Sequence, residues 1–200
     1  MIVFINGASS SGKTSLAREL QSRWPSPLIY LSLDDVISQL PFKFTGFGAN
    51  ASEGFELVQR RKSCETVSEV RIGRHGQNVN ALAAAHAASV AALGYDLVID
   101  YVLLQPSMLE PFAAALSQRP LLFVGLICAE SELTARQASR EDRAPGLAQA
   151  QMSLVHFCRH LYDLELDSTH SSAQHLADRV LARLAERPTA CGFSRTDAEA

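Results

Sequence analysis

Ile2-Val3-Phe4-Ile5-Asn6-Gly7-Ala8-Ser9-Ser10-Ser11-Gly12-Lys13-Thr14-Ser15 is the stretch on which the reading of this chain turns. From Gly7 to Thr14 it fits GxxxxGK[ST] at every fixed position. The glycines let the backbone wrap so that successive N–H groups point inward at phosphate oxygens, where a Cβ would obstruct them. Lys13 brings a point charge to the β- and γ-phosphates, and the Thr14 hydroxyl suits a Mg²⁺ ligand. The helix that follows aims its positive end at the same phosphates. Chance supplies such a match in about one sequence in a hundred. The apolar strand before it and the amphipathic segment after it are what the motif requires, and a plain serine–glycine turn requires neither. The loop predicts a bound nucleoside triphosphate with magnesium. Alone, it does not separate a kinase from a GTPase or a nucleotide-gated switch.

Outward from the loop, short β-branched runs alternate with helical patterns, the signature of parallel βαβ construction. Ile2–Ile5, Leu28–Leu33, Asp96–Asp100, Leu121–Ile127 and Asp163–Asp167 read as strands. Lys13–Trp24, Asn78–Leu93, Pro106–Leu116, Glu130–Ala138, Leu147–His160 and Ala173–Glu186 read as helices. From Phe42 to Gly76 the pattern breaks into glycines and aromatics, with Phe55–Val58 and Thr66–Ile72 able to pair as a hairpin. The 200 residues suit one domain over 1–186, with a tail at 187–200 that has little to pack. A net charge of −3 argues against nucleic acid, and no apolar run is long enough for a membrane. The chain begins on its first strand with no basic leader, so a cytoplasmic location is expected. Cys64, Cys128, Cys158 and Cys191 are scattered and read as thiols rather than a zinc site or a disulfide framework.

In open parallel sheets, ligands sit outside the carboxyl ends of the strands, and three of the five strands end in acid. Leu97-Val98-Ile99-Asp100 reads as the strand whose Asp supports Mg²⁺. Asp34 and Asp35 follow the second strand. One suits a general base for an alcohol and the other an N-cap, and spacing leaves the assignment open. Asp167 reads as structural. Arg136, Arg140 and Arg143 fall four and three residues apart and would share one side of a continuing helix. Beside the phosphate loop they suit a lid over 136–146 that closes on charge spread during phosphoryl transfer. His75 borders the irregular segment and could face a substrate, whereas His86, His160, His170 and His175 read as surface or packing residues.

These residues together resemble the chloramphenicol phosphotransferase-like branch of P-loop kinases. The resemblance runs through Asn6–Thr14, Leu33–Ile37 with Leu40-Pro41, Leu97–Asp100, Val124-Gly125 with Cys128, the Arg136/Arg140/Arg143 pattern with Gly146, Val155-His156, and Tyr162 to Thr169. It implies a three-layer α/β fold like that of nucleotide kinases, with five parallel strands. It implies ATP and Mg²⁺ as cofactors, and a primary hydroxyl of chloramphenicol or a similar compound as acceptor. It favours Asp34 as base and Arg140 and Arg143 as closing arginines, with Arg136 behind them as a candidate for the same role. Ser15, next to the loop, and Arg136 are also expected beside the nucleotide. Tyr101 stands where the family pattern leads us to expect a second acidic residue, and the segment 42–76, the expected acceptor side, matches poorly. Phe42, Phe44, Phe47 and Phe55 would line an apolar pocket or fill core. The partner expected is a small-molecule hydroxyl acceptor, with oligomeric state left open. A nucleoside or sugar kinase keeps the same chemistry, and a nucleotide-binding regulator is the rival without it.

Overall fold

The computed structural model describes residues 1–62, 65–139 and 147–186. Five strands, β1 (Ile2–Asn6), β2 (Leu28–Ser32), β6 (Asp96–Tyr101), β7 (Leu121–Ile127) and β8 (Leu164–Asp167), form one parallel sheet in the order β2-β6-β1-β7-β8. The first strand thus lies at the centre, where both faces are covered, and every residue from Ile2 to Asn6 is buried. Alternation along β1 divides the core. Ile2 and Phe4 face one side, where α3 (Arg74–Ala92) and α4 (Pro106–Leu116) pack with Ile99, Phe112 and Phe123. Val3 and Ile5 face the other side, where α1 (Lys13–Arg23) and α7 (Ala173–Ala185) contribute Leu16, Leu20, Leu176 and Val180. No helix among the described residues is long and apolar enough to cross a membrane.

The expected strands and helices are present with shifted ends. Ser32 ends β2 one residue early because it caps α2 (Leu33–Ser38), its hydroxyl oxygen accepting from Asp35 N–H at 3.1 Å. The long helix predicted over 147–160 is α6 (Leu147–Val155) followed by a 3₁₀ turn at Arg159–Leu161. α5 (Glu130–Ala138) has the predicted bounds. The segment 42–76 is not irregular throughout. It holds a short strand β3 (Thr45–Gly46) and a hairpin of β4 (Phe55–Lys62) and β5 (Glu65–Ile72), paired from Phe55↔Ile72 to Lys62↔Glu65. These three strands form a second sheet, and the hairpin is longer than its expected core. The sequence-level lid over 136–146 is described only to Ser139. The expected tail at 187–200 lies outside the described residues, as do Cys64 and Cys191. Cys128 and Cys158 are free and buried.

Tyr101 occupies no catalytic place. Its ring stacks edge-on against Phe112 at 4.9 Å and its hydroxyl donates to Asn80 Oδ1 at 3.0 Å. Burial pushes its phenol far above the ordinary value. On β7, Gly125 lets the Tyr162 ring lie directly against the sheet, since a Cβ there would stand 2.0 Å from Tyr162 Cε2. Overpacking of this kind costs about 1–3 kcal/mol, and the rigid sheet offers little relaxation. Gly125→Ala is therefore expected to lose about 3 kcal/mol of stability, read as a lower urea midpoint with an unchanged slope.

Candidate active site

The parallel register brings the carboxyl ends of the strands to one edge. Ile5 and Ser32 both lie beside Asp100, so the phosphate-binding loop, the start of α2 and the end of β6 converge there. The loop has the backbone of an anion nest. Ser10 at φ 63° and Gly12 at φ 94° are both left-handed, with Ser11 between them. A non-glycine residue in that conformation costs about 1–2 kcal/mol, so the loop carries strain at its centre. A Cβ on Gly7 would meet Leu126 O at 2.7 Å, which explains the first glycine by close approach rather than by a turn.

Lys13, 7% exposed, donates to Ala8 O at 2.8 Å and stands 3.9 Å from Asp100 Oδ1. Thr14 Oγ1 donates to Asp100 Oδ2 at 2.7 Å. The predicted metal pair is therefore in contact. Tyr30, which sequence reasoning missed, also donates to Asp100 Oδ2, at 3.0 Å. Burial and the Asp100 charge push its phenol up to about 12, so it stays a donor at neutral pH. The signal available in the sequence was its position two residues before Ser32 on an alternating strand.

Asp34 lies in the first turn of α2 and lines a cavity with Lys13, Thr14 and Asp100. Asp35 instead accepts from the Ser32 hydroxyl at 2.7 Å, while Ser32 accepts from its N–H. This capping through the Ser32 hydroxyl separates the two carboxylates that spacing left open. Ser32, not either aspartate, is the N-cap. The cavity encloses about 850 Å³, part of it open to solvent, and its outer wall is apolar, with Ile37, Phe55, Val70, Ile72, Leu104 and Met108. Of the four phenylalanines considered, only Phe55 lines it. Phe42 and Phe47 are exposed, and Phe44 packs edge-on against His75 at 5.3 Å. His75 faces Glu53 at 3.7 Å and is absent from this cavity's lining.

A second cavity of about 800 Å³ opens on the other side of the loop, lined by Gly12, Ser15, Arg136, Ser168 and Leu176. Arg136 reaches across it, donating to Ser168 O at 2.8 Å and to Glu132 at 2.8 Å, with Nη1 3.8 Å from a Cβ placed on Gly12. Ser168 Oγ bonds Ser11 O at 2.7 Å, fixing the loop from this side. Asp167 accepts from Thr169 N–H at 2.8 Å, the structural role expected of it. Arg140 and Arg143 lie outside the described residues.

The residues present suit a nucleotide with magnesium. The Ser10 and Ser11 hydroxyls are buried without a hydrogen-bond partner among the described residues, an arrangement that asks for an acceptor at the loop. Thr14 and Asp100 supply hard oxygen ligands of the kind Mg²⁺ takes. Behind the loop, Asn6 Nδ2 donates to Val155 O at 2.7 Å and to Tyr162 OH at 2.9 Å, and Tyr162 OH meets His156 Nδ1 at 2.8 Å.

A model of the family described as chloramphenicol phosphotransferase-like protein matches residues 1–185. No curated protein sequence matches the chain. Among solved structures, an unliganded sugar kinase from Janibacter sp. is similar at TM-score 0.65 and 16% identity, over 95% of this chain and 97% of that one. Shikimate kinase from Acinetobacter baumannii in complex with shikimate gives 0.61 and 15%, over 94% of each chain. The Mycobacterium tuberculosis APS kinase in complex with AMPPNP and APS gives 0.61 and 15%, over 92% and 96%. At these identities the likeness is one of fold, the five-stranded parallel sheet of P-loop kinases.

Burial first, then the Arg159 charge, holds the His156 imidazole below its ordinary value, and Lys13 adds to the effect while Glu165 opposes it. The unfolded chain therefore binds the proton more readily, and this contribution to stability is full above pH 6.5 and falls as pH drops through and below it. Urea titrations from pH 8 to pH 5 are expected to show a loss that His156→Asn flattens. Parallel curves for the two proteins would remove His156 as the cause.

Proposed function

The chain belongs to the chloramphenicol phosphotransferase-like family over residues 1–185, and on that premise we propose an ATP-dependent kinase that moves the γ-phosphoryl group of ATP·Mg²⁺ to a hydroxyl of a small molecule, chloramphenicol or a similar compound. The observation that carries this reading is that Lys13, Thr14, Asp100 and Asp34 border one cavity that also has an apolar side, built by Ile37, Phe55, Val70, Ile72, Leu104 and Met108. A switch protein needs only the first three of those residues. A carboxylate at the start of α2, beside an apolar acceptor space, suits transfer to an organic alcohol.

In this mechanism Lys13 and the inward amides of the Gly7–Thr14 loop hold the phosphates. Thr14 and Asp100 would hold Mg²⁺, which supplies charge neutralisation on the phosphate oxygens when bound. Asp34 takes the hydroxyl proton as the acceptor oxygen bonds to the γ-phosphorus and the bond to the β–γ bridging oxygen breaks. Tyr30 keeps the second Asp100 oxygen oriented through its 3.0 Å bond. Arg136 borders the nucleoside side of the loop. Arg140 and Arg143 are assigned to the closing lid by their positions in the sequence, to meet charge that develops during transfer. The kinases with similar folds lend support: one structure holds shikimate, and another holds AMPPNP with APS. The cytoplasm, where ATP·Mg²⁺ is abundant, suits this chemistry.

Mass spectrometry of chloramphenicol after incubation with the protein, ATP and Mg²⁺ is expected to show a phosphorylated product that Lys13→Ala abolishes. No product while ATP still binds would move the acceptor to another alcohol, a nucleoside or sugar first. Asp34→Asn is expected to keep nucleotide affinity and lose at least about a hundredfold in kcat, the lower range for a general base. Full activity in that variant would remove Asp34 as the base. For Arg140→Ala the loss is expected in kcat more than in KM for ATP, and a change confined to KM would argue against a closing role.

A further inference from the structure

Gln151, on α6, is 7% exposed and lines the cavity assigned above to the acceptor. The Ser9 backbone N–H donates to its Oε1 at 2.8 Å. A backbone N–H can only donate, so the loop fixes which end of this carboxamide is oxygen and turns the NH₂ group away from itself. No described residue accepts from Gln151 Nε2. The other polar side chains that line the cavity away from the loop are poorly suited to donate. Asp34 and Asp100, as carboxylates, only accept, and the Ser32 hydroxyl is committed to Asp35 Oδ2 at 2.7 Å. Leu33, Ile37, Phe55, Ile72 and Met108 offer no side-chain donor.

We infer that Gln151 determines acceptor specificity: its Nε2–H₂ donates to an oxygen of the acceptor other than the hydroxyl that is phosphorylated. The inference rests on the kinase reading and adds a chemical requirement to it. The acceptor is an apolar alcohol with a second oxygen, a carbonyl or another hydroxyl, placed to meet Gln151 while the reacting hydroxyl meets Asp34. A nearly buried donor left unmatched by its ligand is costly, so alcohols lacking that oxygen are discriminated against.

The test is equilibrium binding to the full-length protein with AMPPNP and Mg²⁺. The probes are chloramphenicol and N-acetylphenylalaninol, which carry an amide carbonyl, and hydrocinnamyl alcohol, which has a single oxygen. Gln151→Met keeps the side-chain length and removes the donor. Gln151→Glu removes the donor but still accepts from Ser9. Both are expected to weaken the carbonyl-bearing alcohols by about tenfold, the value of one hydrogen bond, and to leave hydrocinnamyl alcohol unchanged. AMPPNP affinity in Gln151→Met should stay within about threefold, which a mere loss of loop support would not allow. Equal losses for all three alcohols, a matching loss for AMPPNP, unchanged affinities, or no alcohol bound by the unsubstituted protein would each overturn the inference. Turnover with ATP runs beside the binding. Alcohols that bind without being phosphorylated sink the kinase reading, and the binding series still decides the role of Gln151.

Discussion

The Asn6 carboxamide is fully buried and satisfied at both ends, its oxygen accepting from Leu103 N–H at 2.9 Å and its NH₂ group serving Val155 O and Tyr162 OH. It is the last residue of β1 and the one before Gly7, so these bonds set where the phosphate-binding loop begins. Removing one partner would leave a buried amide unmatched at about 1–3 kcal/mol. Through it, the chain leaving β6, the end of α6 and the turn before β8 are tied to one point. Ala8 extends the junction by packing with Val102, Leu133, Ala148 and Val155. A loop that holds left-handed Ser10 against its preference needs such a base, because strain persists only where the surroundings over-determine it.

From that junction the two faces of the loop acquire different characters. On one side, Ser11 O and Arg136 meet the Ser168 turn, and the space beyond is rimmed by small polar residues. On the other, Thr14, Tyr30 and Asp100 gather at the carboxyl edge, with Asp34 and an apolar wall beyond. The two best-placed carboxylates are kept apart by structure. Asp100 is 5% exposed and engaged by two hydroxyl donors. Asp34, at the start of a helix, is exposed. On the proposed reading this difference of environment lets one carboxylate serve charge and the other proton transfer.

How much of this was legible follows from the range of each signal. The phosphate loop, the strand that carries Asp100 and the order of elements were readable, because periodicity and a fixed eight-residue motif are local properties. The Asp34/Asp35 ambiguity was also solvable locally, since Ser32-Leu33-Asp34-Asp35 is a capping-box spacing that places Asp35 at N3. Tyr30 was readable only as sharing a strand face with Ser32, and Gln151 and Asn6 were not readable as site residues. Their partners lie 70, 142 and 156 positions away, and a single polar residue carries no mark of which distant group it meets. Phe42, Phe44, Phe47 and Phe55 stayed open between pocket and core for a related reason. Composition shows that a segment is aromatic, and only tertiary packing decides which ring turns inward.

The second sheet makes the proposed chemistry and the proposed choice of acceptor separable. Lys13, Thr14 and Asp100, assigned above to phosphate and metal, hang from the central sheet, where a shift of register would displace a whole strand. Val70 and Ile72, which line the cavity beside Asp34, belong to a hairpin outside that sheet, and Gln151 belongs to a helix that meets the loop through the Ser9 hydrogen bond and packing on Ala8. Substitutions in the hairpin alter the size and polarity of the cavity without touching the register of Lys13, Thr14 and Asp100. A tightly packed sheet tolerates little change, whereas the wall of a ligand cavity need only present apolar surface and a few matched polar atoms. On the proposed reading, the choice of acceptor therefore falls to β4, β5 and α6, and the transfer chemistry to β1, β2 and β6.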